Sequence, residues 1–342
     1  MKKLTLFCFF LTSAFGQYCS TPTPDCTEKL MLGEAKKFSL LYRNYPLDKR
    51  NEKIERAMII IHGAGRNAHD YFSTGMAAAF LASALDNTIV ISPRYTGNNG
   101  AGCKDKLATD EIAWDCSDWK NGFEALNQKD IYSYDLLDEV LKKLADEKIF
   151  PNLKGIVVSG HSAGGQITNR YAAVNKVHDS LRVPVRYVVS NPSSYVYLDA
   201  LRLPRDFHCD TKGKCEEEFR AYGDRRNCTT YNSWMHGLDN LKGYAASLDA
   251  DQIRKQLLAR PVTYLMGELD TLPIASFDSS CISMAQGPSR YDPAKGYFAH
   301  VTELKAKDHT FVTVPMCGHN NRCIWTADQA LPVVFPKFQM RP

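Results

Sequence analysis

Four apolar runs in this chain are each followed at once by residues that could together perform acyl transfer. "AMIII" (57–61) leads into His62-Gly63-Ala64-Gly65, and "GIVVS" (155–159) into Gly160-His161-Ser162-Ala163-Gly164-Gly165. "VTYLM" (262–266) leads into Gly267-Glu268-Leu269-Asp270, and "FVTVP" (311–315) into Met316-Cys317-Gly318-His319. A serine hydroxyl is a weak nucleophile at neutral pH; it needs a base to take its proton and a third group to hold that base. Ser162, His319 and Asp270 supply those types, in the chain order Ser, Asp, His.

The surrounding small residues have a physical task. A strand-to-helix turn tight enough to lift Ser162 out of a sheet forces strained dihedrals, and Gly160 and Gly164 remove side chains that would clash there. A helix opening at Ala163 aims its unpaired amides at charge developing on a substrate oxygen. The second donor is expected from the small-residue loop, so the oxyanion amides are assigned to Ala64 and Ala163. Arg66 presents a fork suited to a substrate carboxylate; bracing of its own loop is the alternative. His161, beside the nucleophile, and Tyr195 are read as pocket residues, with Trp114, Trp119 and Tyr197 as further aromatics of the cleft or core. Of nine histidines, only His319 follows a strand in the required order; His62 is read as a support for its loop. Glu268 and Asp278 are the alternatives to Asp270.

These groups require elements that carry them. Short β-branched runs, including "TIVIS" (88–92) and "VRYVVS" (185–190), alternate with helical patterns at 73–86, 133–148 and after Ser162, with Ser133 as a cap for the second. Apolar strands alternating with amphipathic helices predict an α/β fold with a mostly parallel sheet covered on both faces. Ligands of such sheets bind at the carboxyl ends of the strands, where all four loops fall. Two stretches interrupt the alternation: residues 94–131, rich in Gly, Asn, Asp and Trp, and an insertion at about 192–258, read as a lid.

Residues 1–16, "MKKLTLFCFFLTSAFG", combine two lysines, a short apolar run and a small-x-small end, the pattern of a removed export signal. The remainder, 17–342, is read as one domain that is secreted or periplasmic. Eleven cysteines become ten once Cys8 is removed, an even count that suits disulfides in an exported chain. Local pairing gives Cys19–Cys26, Cys103–Cys116, Cys209–Cys215 and Cys317–Cys323, leaving Cys228 with Cys281, although spacing alone leaves other connectivities open. No Cys-x-x-Cys pair or four-ligand His/Cys spacing suggests a metal, and none is expected. The formal charge of +4 has no long basic run behind it, so nucleic acid is not an expected partner, and no later segment reaches membrane-spanning length.

The chain resembles secreted α/β hydrolases in "AMIIIHGAGRNAHDYF", "FPNLKGIVVSGHSAGGQITNRYA", "VVSNPSSYVYLDALR", "LMGELDT" and "CGHNN". Within that set it is most similar to the polyaspartate-hydrolase-like group, in the elbow and the Asn-Pro-Ser-Ser-Tyr segment. More distantly, the His-Gly-x-x-x-Asn-Ala loop is similar to that of exported polyester depolymerases and feruloyl esterases. The resemblance implies a cofactor-free serine hydrolase acting on an amide or ester, with an acidic polyamide such as polyaspartate or a polyester, feruloyl or short acyl ester as substrate. A binding protein on a hydrolase scaffold is the competing class.

Overall fold

Each of the six apolar runs forms a strand, because alternate residues of each have a separate core to enter. The computed structural model describes residues 18–34, 37–100, 103–224, 226–274 and 276–338; the export segment read at 1–16 lies outside them. One eight-stranded sheet organises the chain. Its strands are β1 (Thr27–Met31), β2 (Phe38–Arg43), β3 (Arg56–Ile61), β4 (Thr88–Pro93), β5 (Gly155–His161), β6 (Val185–Ser190), β7 (Val262–Gly267) and β8 (His309–Val314). Their spatial order is β1-β2-β4-β3-β5-β6-β7-β8. Pairing is parallel from β4 through β8, while β2 is antiparallel to both β1 and β4.

The period-2 geometry of the strands divides the core. Ala57, Ile59 and Ile61 of β3 join Val158, Val189 and Tyr264 in one cluster. Met58 and Ile60 join Val157, Val188, Leu265 and Val314 in the other. The first cluster is covered by α2 (Asp135–Leu144), α3 (Ala163–Val174), α4 (Ala250–Ala259) and α5 (Tyr291–Glu303), which contribute Leu141, Tyr171, Leu257 and Tyr297. The second is covered by α1 (Ala68–Leu81) and the short α6 (Asn321–Trp325), through Phe72, Met76 and Trp325. Two apolar faces, both buried, are what a parallel sheet requires.

Three details differ from the sequence reading. Helix α1 begins at Ala68 and ends at Leu81, five residues earlier than expected at each end. Tyr71 and Phe72 already point into the core, and Ser83 at φ 52° ends the turn. Ser133 does not cap α2; its hydroxyl is buried, and Asp135 instead accepts a hydrogen bond from the Tyr132 amide. Helix α4 sits inside the stretch read as an insertion, and it is the crossover into β7. Its start is a capping box, with Asp249 accepting from the Gln252 amide and the Gln252 side chain accepting from the Asp249 amide.

The rest of residues 192–258 packs against α2, α5 and the 94–131 excursion. Tyr195 stacks on Tyr297 with ring centroids 4.4 Å apart, Trp234 donates to the Asn121 carbonyl, and Tyr244 donates to Asp138. Cys228–Cys281 ties this stretch to the segment that follows β7. The other disulfides are Cys19–Cys26, Cys103–Cys116, Cys209–Cys215 and Cys317–Cys323, the local pairs expected. Loop length ranks their contributions. Cys228–Cys281 spans 53 residues and Cys209–Cys215 only 6. Chain-entropy arguments give about 4 and about 2 kcal/mol respectively. Replacing each pair with serines should therefore lower the guanidinium midpoint about twice as far for Cys228–Cys281. Equal losses would contradict that ranking.

Candidate active site

The groups singled out at the strand ends converge. Between β5 and α3, Ser162 adopts φ 59° and ψ −119°, a sparsely populated conformation for a side-chain-bearing residue. Its amide donates to the Ser190 carbonyl at 2.9 Å, which ties the turn to the end of β6. The surrounding glycines are required by contact distance. A Cβ on Gly160 would lie 2.3 Å from the Gly164 carbonyl oxygen, and one on Gly164 would lie 2.2 Å from that of Ile61. A third, Gly165, faces the Ser190 carbonyl oxygen at 2.4 Å in the same way.

His319 presents Nε2 3.0 Å from Ser162 Oγ and Nδ1 2.7 Å from Asp270 Oδ2. Its loop is closed by Cys317–Cys323, and Asn320 directly after it caps α6 by accepting from the Cys323 amide. Asp270 is 2% exposed. Its backbone is fixed by a turn from Gly267 and by the Tyr291 amide. Burial would raise its carboxyl pKa, but the hydrogen bond and charge of His319, the Asn191 amide and Arg290 hold it below the usual carboxylate value. Asp270 is therefore ionised across neutral pH, and the proton shared with His319 rests on Nδ1. That leaves Nε2 free to accept from Ser162.

The loop after β3 passes over the nucleophile. A Cβ on Gly63 would come within 3.5 Å of Ser162 Cβ and 2.9 Å of the Tyr71 hydroxyl. His62 organises this loop from beneath. The Tyr95 amide donates to its Nε2, so the proton sits on Nδ1 and is donated to the Gly63 carbonyl. Burial lowers its pKa to about 4, which keeps the ring neutral. Trp119 packs against the same ring at 4.7 Å. Among the described residues, neither the Ala64 nor the Ala163 amide has a backbone acceptor. Ala64 lines the space above Ser162, where an oxyanion would require donors, and Ala163 is the buried first residue of α3, directly after the nucleophile.

His161 is buried beside this centre, with Nδ1 3.1 Å from the Tyr71 hydroxyl and its ring 4.5 Å from that of His319. Burial, with the charges of His319 and Arg290, pushes its pKa well below the ordinary histidine value. It borders the cleft as a neutral ring. Two other expected pocket residues are placed elsewhere. Arg66 directs Nε to Asp105 at 3.2 Å, its side chain is 8% exposed, and it braces its own loop. Tyr195 is fully buried on Tyr297, because it alternates into the core beneath the sheet end. Glu268 accepts from the Met316 amide, and Asp278 lies beside His236; neither touches His319.

The cleft over Ser162 encloses about 360 Å3. Its wall includes Asn67, Tyr71, Ser276, Asn320 and Asn321, and among the described residues none from 192–258 lines it. Two residues that the sequence reading did not single out hold Asp270. Asn191 donates to Oδ2 at 2.6 Å, and Arg290 donates to Oδ1 at 3.4 Å. Asn191 follows "VRYVVS" directly, so the strand-end rule applied to four other runs would have found it. Arg290 has no local signal, since it lies at the end of a long loop.

A family model described as the alpha/beta hydrolase family matches residues 58–334. Among solved structures, the chain is similar to the poly(3-hydroxybutyrate) depolymerase LpqC from Bordetella parapertussis. Identity is 19%, 90% of this chain and 87% of that one are covered, and the TM-score is 0.59. It is also similar to poly(aspartic acid) hydrolase-1 from Sphingomonas sp. KT-1, with 22% identity, 87% and 95% coverage and a TM-score of 0.52. At these identities the likeness is one of fold. No curated protein sequence matches the chain.

Proposed function

The chain belongs to the alpha/beta hydrolase family, and on that premise we propose that it is a serine hydrolase working through an acyl-enzyme at Ser162. The observation that carries this reading is the continuous contact Ser162 Oγ to His319 Nε2 to Asp270 Oδ2, at 3.0 and 2.7 Å. Ser162 attacks a carbonyl while His319 takes its proton, and the Ala64 and Ala163 amides receive the oxyanion. His319 then protonates the leaving group. Water, deprotonated by the same ring, releases the acid. No metal or cofactor enters these steps. Five disulfides support export to an oxidising compartment. Among the described residues, no helix is long and apolar enough to cross a membrane.

The wall of the cleft supports one reading of the substrate class over another. Its polar side chains are neutral hydrogen-bonding groups, no lysine or arginine among the described residues lines it, and Arg66 is committed to Asp105. On the loops carrying Asp270 and His319, Leu269, Leu272, Ile274 and Met316 are exposed. These features favour a neutral ester with apolar segments, a polyester among them, over a polyanion. An acidic polyamide is the second reading, supported by the formal charge of +4. The test is turnover of p-nitrophenyl esters, a poly(3-hydroxybutyrate) film and polyaspartate by the same preparation. Hydrolysis of the neutral esters with little polyaspartate cleavage is expected. The reverse order would favour the polyamide, and indifference to all three would overturn the hydrolase reading.

A further inference from the structure

The carboxylate that orients His319 has its own supports, and they are built from two distant parts of the chain. Asn191 lies at the end of β6 with φ 46°, in the left-handed region that asparagine tolerates better than most residues. Its side-chain oxygen accepts from the Gly267 amide at 3.3 Å and from the Ser190 hydroxyl at 3.0 Å. Those two donors fix which way the amide points, so Nδ2 is directed at Asp270 Oδ2, the oxygen that also faces His319. Ser190 meanwhile receives the Ser162 amide on its carbonyl. One dipeptide thus touches the backbone of the nucleophile and the side chain of the acid.

On the other oxygen, Arg290 enters from the start of α5. Its side chain and that of Asp270 are each 1% exposed, so neither charge is solvated by bulk water. A buried carboxylate with only a histidine for company would be drawn toward its protonated form. We propose that Asn191 and Arg290 are positioning residues for Asp270, Asn191 fixing the oxygen that orients His319 and Arg290 compensating the charge. This inference rests on Ser162, His319 and Asp270 being the catalytic groups. The other titratable groups around the pair are His161, Tyr71 and Tyr195, with Glu268 on the same loop as Asp270; His161 and the two phenols are uncharged at neutral pH.

Three variants test it, each checked for folding by its thermal midpoint. Asn191→Gly deletes the amide while keeping a residue suited to positive φ. It should lower kcat on a p-nitrophenyl ester by about tenfold with KM unchanged, since orientation and not binding is lost. Arg290→Met removes the cation. The Asp270–His319 pair then holds a proton more tightly, so the acid limb of kcat/KM should move to higher pH by roughly 0.5–1 unit. Arg290→Lys should return that limb to its original place. A purely structural arginine would reduce the amount of folded enzyme without moving the limb. Full activity in Asn191→Gly and an unmoved limb in Arg290→Met would overturn the proposal. A wild-type enzyme that turns over no ester or amide would overturn it together with the triad beneath it.

Discussion

Replacing Ser162 with alanine should lower kcat by about 10⁵- to 10⁶-fold while KM stays within a few-fold of the original. Among the described residues, Ser162 Oγ is the hydroxyl that His319 Nε2 contacts, at 3.0 Å, so it can hand its proton to that ring as it attacks a carbonyl. Removing it leaves the Ala64 and Ala163 amides in place, so a remnant of roughly 10³–10⁴ over water is expected from binding and oxyanion stabilisation alone. The loss should not come from unfolding. Ser162 makes its structural contacts through backbone atoms, its amide to Ser190 and its carbonyl to the Gln166 amide. Alanine keeps both, and the thermal midpoint should shift little. Steady-state kinetics beside a melting curve separates the two effects. A variant retaining a tenth of the activity would remove Ser162 from the chemistry.

Asp270→Asn should cost about 10⁴-fold in kcat, for a different reason. An amide nitrogen facing His319 Nδ1 would meet a proton, so the ring would turn its acceptor inward and leave Nε2 carrying hydrogen toward Ser162. The geometry survives while the base is lost. A second consequence follows from the pocket around the acid. Arg290 would remain buried without the carboxylate that compensates it. Leaving one member of a buried ion pair typically costs about 3–5 kcal/mol. Asp270→Asn should therefore lose stability as well as rate, whereas Ser162→Ala loses rate alone. Urea titrations of the two variants check the difference. Equal midpoints would show that the Asp270–Arg290 pair contributes nothing net.

The strands were legible because a parallel sheet buried on both faces writes its elements as near-continuous apolar runs. The strand-end rule then picked out Ser162, Asp270 and His319, which the fold brings within hydrogen-bond distance of one another, without any knowledge of packing. It would also have located Asn191, had it been applied to "VRYVVS". Arg290 was not legible. It meets Asp270 because a long disulfide-tied loop returns to β7, and no local pattern records that closure. Arg66 has the right chemistry for an anion but takes the other reading the sequence allowed, bracing its loop. Its partner Asp105 lies 39 residues away in an excursion whose path the sequence does not reveal. Tyr195, read as a pocket residue, is in the core, because past Asn191 the chain turns inward and the aromatic goes with it. The disulfides fell as local pairing suggested, since four of the five close loops of 13 residues or fewer.

The central claim is that Ser162 is a nucleophile activated by His319, and covalent trapping tests it without knowledge of the substrate. The full chain is incubated with a fluorophosphonate, digested, and the adduct located by mass spectrometry. One stoichiometric adduct on Ser162 is expected, absent from Ser162→Ala and formed far more slowly in His319→Ala. A folded protein that remains unlabelled, or that carries the adduct on another residue, would contradict it.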